Sequence, residues 1–174
     1  MEVFTTLLVG LQAVGAVLGA VSAVLAELAY VRAMRDGHIE RAERRHIDVL
    51  ARGLYWGMTL LLVASLALVV LAYRTGASVQ PALTSSYWSF IGLALLVTTL
   101  SWALSRKRVS FGLGSAAIFM AWWFLAYLTL GRFPPLSFGA SIALYVVATG
   151  AFYGLLCLLR YLMTPAERKA LHVS

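Results

Sequence analysis

Two strongly polar side chains in the first apolar stretch are the residues best placed to do chemistry inside a membrane. Gln12 and Glu27 stand in residues 6–35, a run that has no charge before Glu27. An ionisable group in a membrane segment is costly and by default marks an ion, proton or ligand site whose partner should be named. Arg52 and Arg160 are the expected partners of Glu27, because the sequence predicts all three at a similar depth. These four residues are our candidates for a ligand or ion site.

The role of Glu27 has two interpretations. It is either one half of a structural ion pair that joins helices 1, 2 and 5, or a proton, cation or ligand site. For Gln12 the pattern favours a hydrogen bond to a neighbouring helix, which is the commonest use of such a side chain in a membrane bundle.

Large aromatic side chains form a second candidate site. Trp122, Trp123 and Tyr127 lie on the fourth apolar segment and Trp102 on the third. Some of them are too deep to belong to an aromatic belt at the interface. Packing or lipid contact is the simpler explanation, and the alternative is a wall for a flat apolar ligand such as a quinone, a pigment or a sterol-like lipid.

The residue types needed for catalysis or metal binding are missing at membrane depth. His38, His46 and His172 all fall away from the middle of the membrane, so they do not hold a haem, and no metal-ligand spacing joins them. The serines of the apolar segments have no histidine at their depth, and Glu27 has no second acid to form a carboxylate pair. Cys157 is the only cysteine, which excludes an intrachain disulfide. The sequence predicts no catalytic site, no metal and no cofactor.

The composition is that of an integral membrane protein. Of the 174 residues, 61% are hydrophobic and 12% are charged, with a mean hydropathy of +0.86, whereas soluble domains contain about 25% charged residues. A net charge of +7 would suggest nucleic acid as the partner of a soluble protein. Here we assign the charge to orientation in the membrane and expect no nucleic acid. Met1 and Glu2 give no basic region, and the apolar run after them is too long for a cleavable signal peptide.

Five apolar segments are each long enough to cross a bilayer, which takes about 20 residues in a helix. Their backbone polar groups must be paired within the segment, so each segment is predicted to be an α-helix. The predicted fold is an all-α, multi-pass transmembrane bundle in the cell membrane, with residues 1–174 as a single domain. The segments cover residues 4–31, 47–73, 83–104, 109–131 and 138–162.

Small residues mark one face of helix 1. Gly15 and Gly19 stand four residues apart, and Ser22 continues the same face. Lipid does not drive helices together, and small residues let their backbones approach closely. We therefore predict that these three residues form a packing surface, and that helix 1 is the helix on which the others pack.

Basic residues predict the orientation of the bundle. Twelve of the 14 Lys and Arg residues fall on one side and two on the other. By the positive-inside rule the N-terminus is outside and the C-terminus is cytoplasmic. Residues 165–172 are predicted to form a short amphipathic helix on the cytoplasmic membrane surface. The twelve are Arg32, Arg35, Arg41, Arg44, Arg45, Arg52, Arg106, Lys107, Arg108, Arg160, Arg168 and Lys169, and the two are Arg74 and Arg132.

Two classes of function fit these features. In the first, the protein binds or carries a small ligand, an ion or a lipid within its helix bundle and is not an enzyme. In the second, it is an accessory or assembly subunit of a larger membrane complex, docked through the small-residue face or the cytoplasmic hairpin between helices 1 and 2. The expected partners are the lipid bilayer, a small apolar ligand, and a second copy of the chain or another membrane protein.

Reporter fusions in a bacterial host test the orientation. We expect green fluorescent protein fused after Ser174 to fluoresce, and alkaline phosphatase fused there to be inactive, because the phosphatase needs an oxidising compartment to form its disulfides. The same fusions after Gly76, in the predicted outer loop, should give the opposite pattern. An active phosphatase after Ser174 would reverse the predicted topology.

Overall fold

The computed structural model describes residues 2–36, 41–76, 83–106 and 108–163, with side chains described except at 30–36, 41–48 and 160–163. Within these ranges the regular structure is helical, and each of five helices contains a span long and apolar enough to cross a membrane. This confirms the predicted all-α fold and its five transmembrane helices. The helices are α1 (Glu2–Asp36), α2 (Arg41–Arg74), α3 (Ser85–Ser105), α4 (Phe111–Thr129) and α5 (Phe138–Met163).

The first two helices run past the apolar part of the bundle. In the sequence, the apolar run of α1 is followed by Arg32 and Arg35, and the apolar run of α2 comes after Arg44 and Arg45. The helices themselves continue to Asp36 and from Arg41. Both extensions lie at the same end of the hairpin, the end that the sequence predicts to be cytoplasmic. The turn at 37–40 and the predicted helix at 165–172 lie outside the described residues.

Glycines in the left-handed conformation follow two of the helices. Gly76 comes after α2 with a φ of 61°, and Gly131 comes after α4 with a φ of 63°. Each N–H donates to the carbonyl three residues earlier, at Tyr73 and Leu128 respectively, over 3.2 Å. Residues with a Cβ rarely adopt this conformation, so glycine allows the chain to leave the helix sharply at both positions.

The central helix of the bundle is α4. It packs closely against α1, α3 and α5, whereas α1 packs closely against α2 and α4. Trp122 and Leu125 of α4 are completely buried, and they belong to one hydrophobic core to which all five helices contribute. The prediction that the other helices pack on helix 1 is therefore wrong. Small residues on α1 allow close approach, but the large side chains of α4 fill the space where the helices meet.

Glycines on both helices bring α1 and α2 into backbone contact. A Cβ added at Gly15 would lie 2.9 Å from the carbonyl oxygen of Gly57, and one added at Gly57 would lie 2.9 Å from the backbone nitrogen of Gly19. Gly53, one turn before Gly57, packs against the side chain of Ser22. The α2 pair thus repeats the four-residue spacing of the α1 pair. The two backbones touch directly at Gly57, and the small Ser22 side chain lies between them at Gly53.

The ring of Trp122 covers Gly19 from the other side. A Cβ added at Gly19 would overlap this ring. The indole N–H of Trp122 is buried and has no hydrogen-bond partner among the described residues. Since buried tryptophans usually satisfy this donor, the side chain is placed here for its volume. Gly19 is therefore the point at which α1, α2 and α4 meet.

Substitution at Gly19 tests this three-helix contact. We expect Gly19→Ala to lower the free energy of unfolding in detergent by about 1–3 kcal/mol, because the added methyl group would force the buried Trp122 ring to move. Gly10→Ala is the matched control on the same helix, since nothing lies within 4 Å of its added Cβ. It should be neutral, or stabilising by up to about 1 kcal/mol. Equal stability of the two variants would contradict the contact.

Candidate functional site

A cavity of about 220 Å³ lies between α3, α4 and α5. Its walls are almost entirely apolar. On α5 the rim residues Ile142 and Val146 are 47% and 59% exposed, so in a bilayer this side of the cavity meets lipid. The lining residues are Ser89, Gly92, Leu93, Leu96, Phe124, Leu128, Phe133, Phe138, Ser141, Ile142, Tyr145 and Val146.

Aromatic contacts fix the α4 and α5 walls of the cavity. Phe124 packs edge-on against Tyr145 with ring centroids 5.6 Å apart, and in a tilted arrangement against Phe133 with centroids 5.3 Å apart. The hydroxyl of Tyr145 donates to the backbone carbonyl of Ala117 on α4 at 2.8 Å. This hydrogen bond ties α5 to α4 within the membrane. The cavity is therefore bounded by side chains held in one arrangement.

Two buried serines line this cavity, and they differ in the hydrogen bonding of their hydroxyl groups. The hydroxyl of Ser141, 7% exposed, donates to the carbonyl of Ser137 one turn earlier at 3.1 Å. Hydroxyl groups in helices commonly bond backward in this way, and Ser65 and Thr98 do the same here. The hydroxyl of Ser89, 6% exposed, has no hydrogen-bond partner among the described residues. Among the described residues, Ser89 is thus the cavity-lining serine whose buried hydroxyl is left without a hydrogen bond.

Gln12 lies in a second, more polar cavity of about 230 Å³ among the first four helices. Its Nε2 donates to the hydroxyl of Ser65 on α2 at 2.7 Å, and that hydroxyl donates to the carbonyl of Leu61 at 2.6 Å. Gln12 therefore makes a hydrogen bond between helices. Phe90 and Leu128 also line this cavity, and Leu128 lines the α3–α4–α5 cavity as well.

Glu27 lies in a third cavity, of about 150 Å³, whose other lining residues are almost all apolar and include Leu104 and Phe111. The glutamate is 9% exposed. Arg52 on α2 is exposed, and the side chain of Arg160 lies outside the described residues. The pairing of Glu27 with either arginine stays a prediction.

The four candidate aromatic residues have different surroundings. Trp122 is buried against Gly19. Trp123 and Tyr127 are exposed and lie next to each other on α4, with ring centroids 6.2 Å apart and the rings tilted by 40°. Trp102 is 51% exposed at the end of α3. None of the four lines the α3–α4–α5 cavity, whose aromatic walls come from Phe124, Phe133, Phe138 and Tyr145.

None of the residues that line this cavity is among the site candidates predicted from the sequence. One usable signal is the presence of two small residues, Ser89 and Gly92, three positions apart on α3. Residues at this spacing lie on the same face of a helix, so the pair leaves a gap on that face. Which helix lies opposite the gap depends on the packing order, and hydropathy does not contain that information.

Comparison of the chain with protein-family models, with curated proteins and with solved structures gives no match. A helix bundle by itself does not indicate an activity. The function therefore has to be argued from the cavity and its residues.

Charge removal at Glu27 tests whether it forms a structural ion pair. We expect Glu27→Gln to lower the free energy of unfolding, because loss of one partner leaves the other charge unpaired. A deeply buried pair would lose about 3–5 kcal/mol. The loss here should be smaller, since Arg52 is exposed and a long side chain near the interface can direct its head group to water. Unfolding in detergent is compared for Glu27→Gln, Arg52→Gln, Arg160→Gln and the double variants, in which much of the loss should be recovered. An unchanged melting temperature for Glu27→Gln would rule out the ion pair.

Proposed function

We propose that this protein is a non-enzymatic membrane protein that binds a lipid-like molecule in the cavity between α3, α4 and α5. The molecule has an apolar chain and one hydrogen-bonding group, such as a hydroxyl, an ester or a quinone-type carbonyl. The single observation that best supports this proposal is the Ser89 hydroxyl, which is buried in the cavity without a partner among the described residues.

The energetic cost of Ser89 supports a polar group on the ligand. A buried hydroxyl without a hydrogen bond costs about 1–3 kcal/mol. The cost is avoided if the hydroxyl donates to its own helix, as Ser141 does in the same cavity. A ligand that offers an oxygen to Ser89 would remove this cost when it binds, so the protein would favour it over a plain hydrocarbon of the same shape.

The size and position of the cavity support a chain-like ligand. The volume of about 220 Å³ is below the roughly 300–1,000 Å³ of typical small-molecule sites, so it fits part of a larger molecule. The exposed α5 rim at Ile142 and Val146 would let the remainder extend along the protein surface into the bilayer. A ligand of this kind could also enter the cavity directly from the bilayer, without crossing a polar part of the protein.

Photolabelling with a diazirine derivative of octan-1-ol tests the proposal. We expect the label to concentrate on the peptides of α3 and α5 that line the cavity. Ser89→Ala should reduce this labelling about 3–10-fold, the value of one hydrogen bond, while leaving protein stability equal or higher. Ser141→Ala is the matched control, because it removes a hydroxyl from the same cavity that already bonds to its own helix. Its labelling should be unchanged.

Two further measurements distinguish the contribution of the Ser89 hydrogen bond to probe binding from that of the cavity itself. The corresponding diazirine-bearing octane has no hydroxyl, so Ser89→Ala should not change its labelling. Gly92→Leu should block both probes, because a Cβ there meets only Phe138, at an ordinary 4.0 Å, and the rest of the side chain projects into the cavity. Label spread evenly over the lipid-facing surfaces, with no effect of Gly92→Leu, would contradict the proposed site.

A further inference from the structure

Two arginine side chains share one tryptophan ring at the end of α3. The guanidinium carbons of Arg106 and Arg108 lie 5.7 Å and 5.1 Å from the centroid of the Trp102 ring. All three side chains are exposed, and Lys107 stands between the two arginines in sequence. The apolar span of α3 ends at Ser105, so this cluster, Trp102–Arg106–Arg108, lies where the helix leaves the membrane.

Backbone hydrogen bonds hold the two arginines in place. The N–H of Arg106 donates to the carbonyl of Trp102 at 3.2 Å, and the N–H of Arg108 donates to the carbonyl of Ala103 at 2.9 Å. The Ser105 hydroxyl also donates to the Trp102 carbonyl, at 2.7 Å. These bonds satisfy carbonyls in the last turn of α3, which otherwise have no partner in the helix. The backbone N–H groups of both arginines are therefore bonded to the last turn of α3.

The sequence around the cluster contains no acidic residue. No Asp or Glu occurs between residues 49 and 166, which include α3, α4 and α5 in full. Glu27 is buried in the bundle, whereas the two arginines are exposed. Two guanidinium groups beside one ring repel each other, and the cation–π contact leaves their N–H donors available to an anion.

We propose that the Trp102–Arg106–Arg108 cluster binds the phosphate of an anionic phospholipid in the leaflet that this end of the bundle faces. Arginine recognises phosphate through paired N–H donors. A tryptophan at the headgroup level anchors its helix there, which places the guanidinium groups at the depth of lipid phosphates. The lipid acyl chains would lie against the apolar surface of α3. This site is separate from the cavity between α3, α4 and α5, and its test does not depend on the function proposed for that cavity.

Native mass spectrometry of the full-length protein in detergent, titrated with phosphatidylglycerol or phosphatidylcholine, tests the proposal. We expect preferential retention of phosphatidylglycerol. Near a membrane surface each basic residue contributes an electrostatic attraction that corresponds to about a fivefold change in affinity. The variant Arg106→Gln with Arg108→Gln should therefore bind phosphatidylglycerol about 30-fold more weakly. Its melting temperature should be unchanged without lipid, since both side chains are exposed.

The matched control removes two arginines from the opposite end of the bundle. Arg74→Gln with Arg132→Gln changes the net charge by the same amount and should leave phosphatidylglycerol binding unchanged. Trp102→Leu keeps both charges, and it should weaken binding by removing the ring that holds them. Equal loss in the two double variants would show attraction to net charge alone and overturn the site. Displacement of the lipid by millimolar inorganic phosphate would assign the site to the free ion and overturn the lipid proposal.

Discussion

The close contact of α1 with α2 and α4 at Gly19 is the constraint on which the rest of the bundle depends. Helices in lipid are held by packing and interhelical hydrogen bonds, since surrounding lipid is as apolar as their side chains. At Gly19 the backbone of α2 approaches from one side and the Trp122 ring from the other. This contact sets the position of α4 relative to the α1–α2 hairpin. Because α4 also packs against α3 and α5, it places those two helices as well.

The same packing leaves space between α3, α4 and α5. On the α1 side of α4, large and small residues are complementary, and Trp122 and Leu125 are completely buried. On the α3 side, the side chains of Ser89 and Gly92 are too small to reach the surface of α5. The cavity lies in the space that remains between α3 and α5. Since cores are usually close-packed, a gap lined by one unpartnered hydroxyl is more informative about function than the well-filled core beside it.

The sequence predicts the helices much better than it predicts their arrangement. The long apolar runs of the sequence identify all five spans. A glycine, Gly131, also follows the end of α4, as is common at the end of a helix. Hydropathy is a property of each helix alone, so it does not reveal that α4 is central or that a gap opens beside Ser89. The Gly15–Gly19 spacing indicates a close approach, but the partners, Gly57 and Trp122, emerge only in three dimensions. The site candidates chosen for their polarity or size therefore fall outside the cavity between α3, α4 and α5.

The contact between Gly19 and Trp122 also limits how this chain can diverge over time. A larger residue at position 19 is tolerated only with a smaller one at position 122, because their combined volume is set by the distance between α1 and α4. A larger residue at position 19 alone would overpack the contact, and a smaller residue at position 122 alone would leave a cavity. Each single change is destabilising. The two positions are therefore expected to covary in related sequences. Gly10 has open space around an added Cβ, so substitutions at this position are expected to occur independently of other positions.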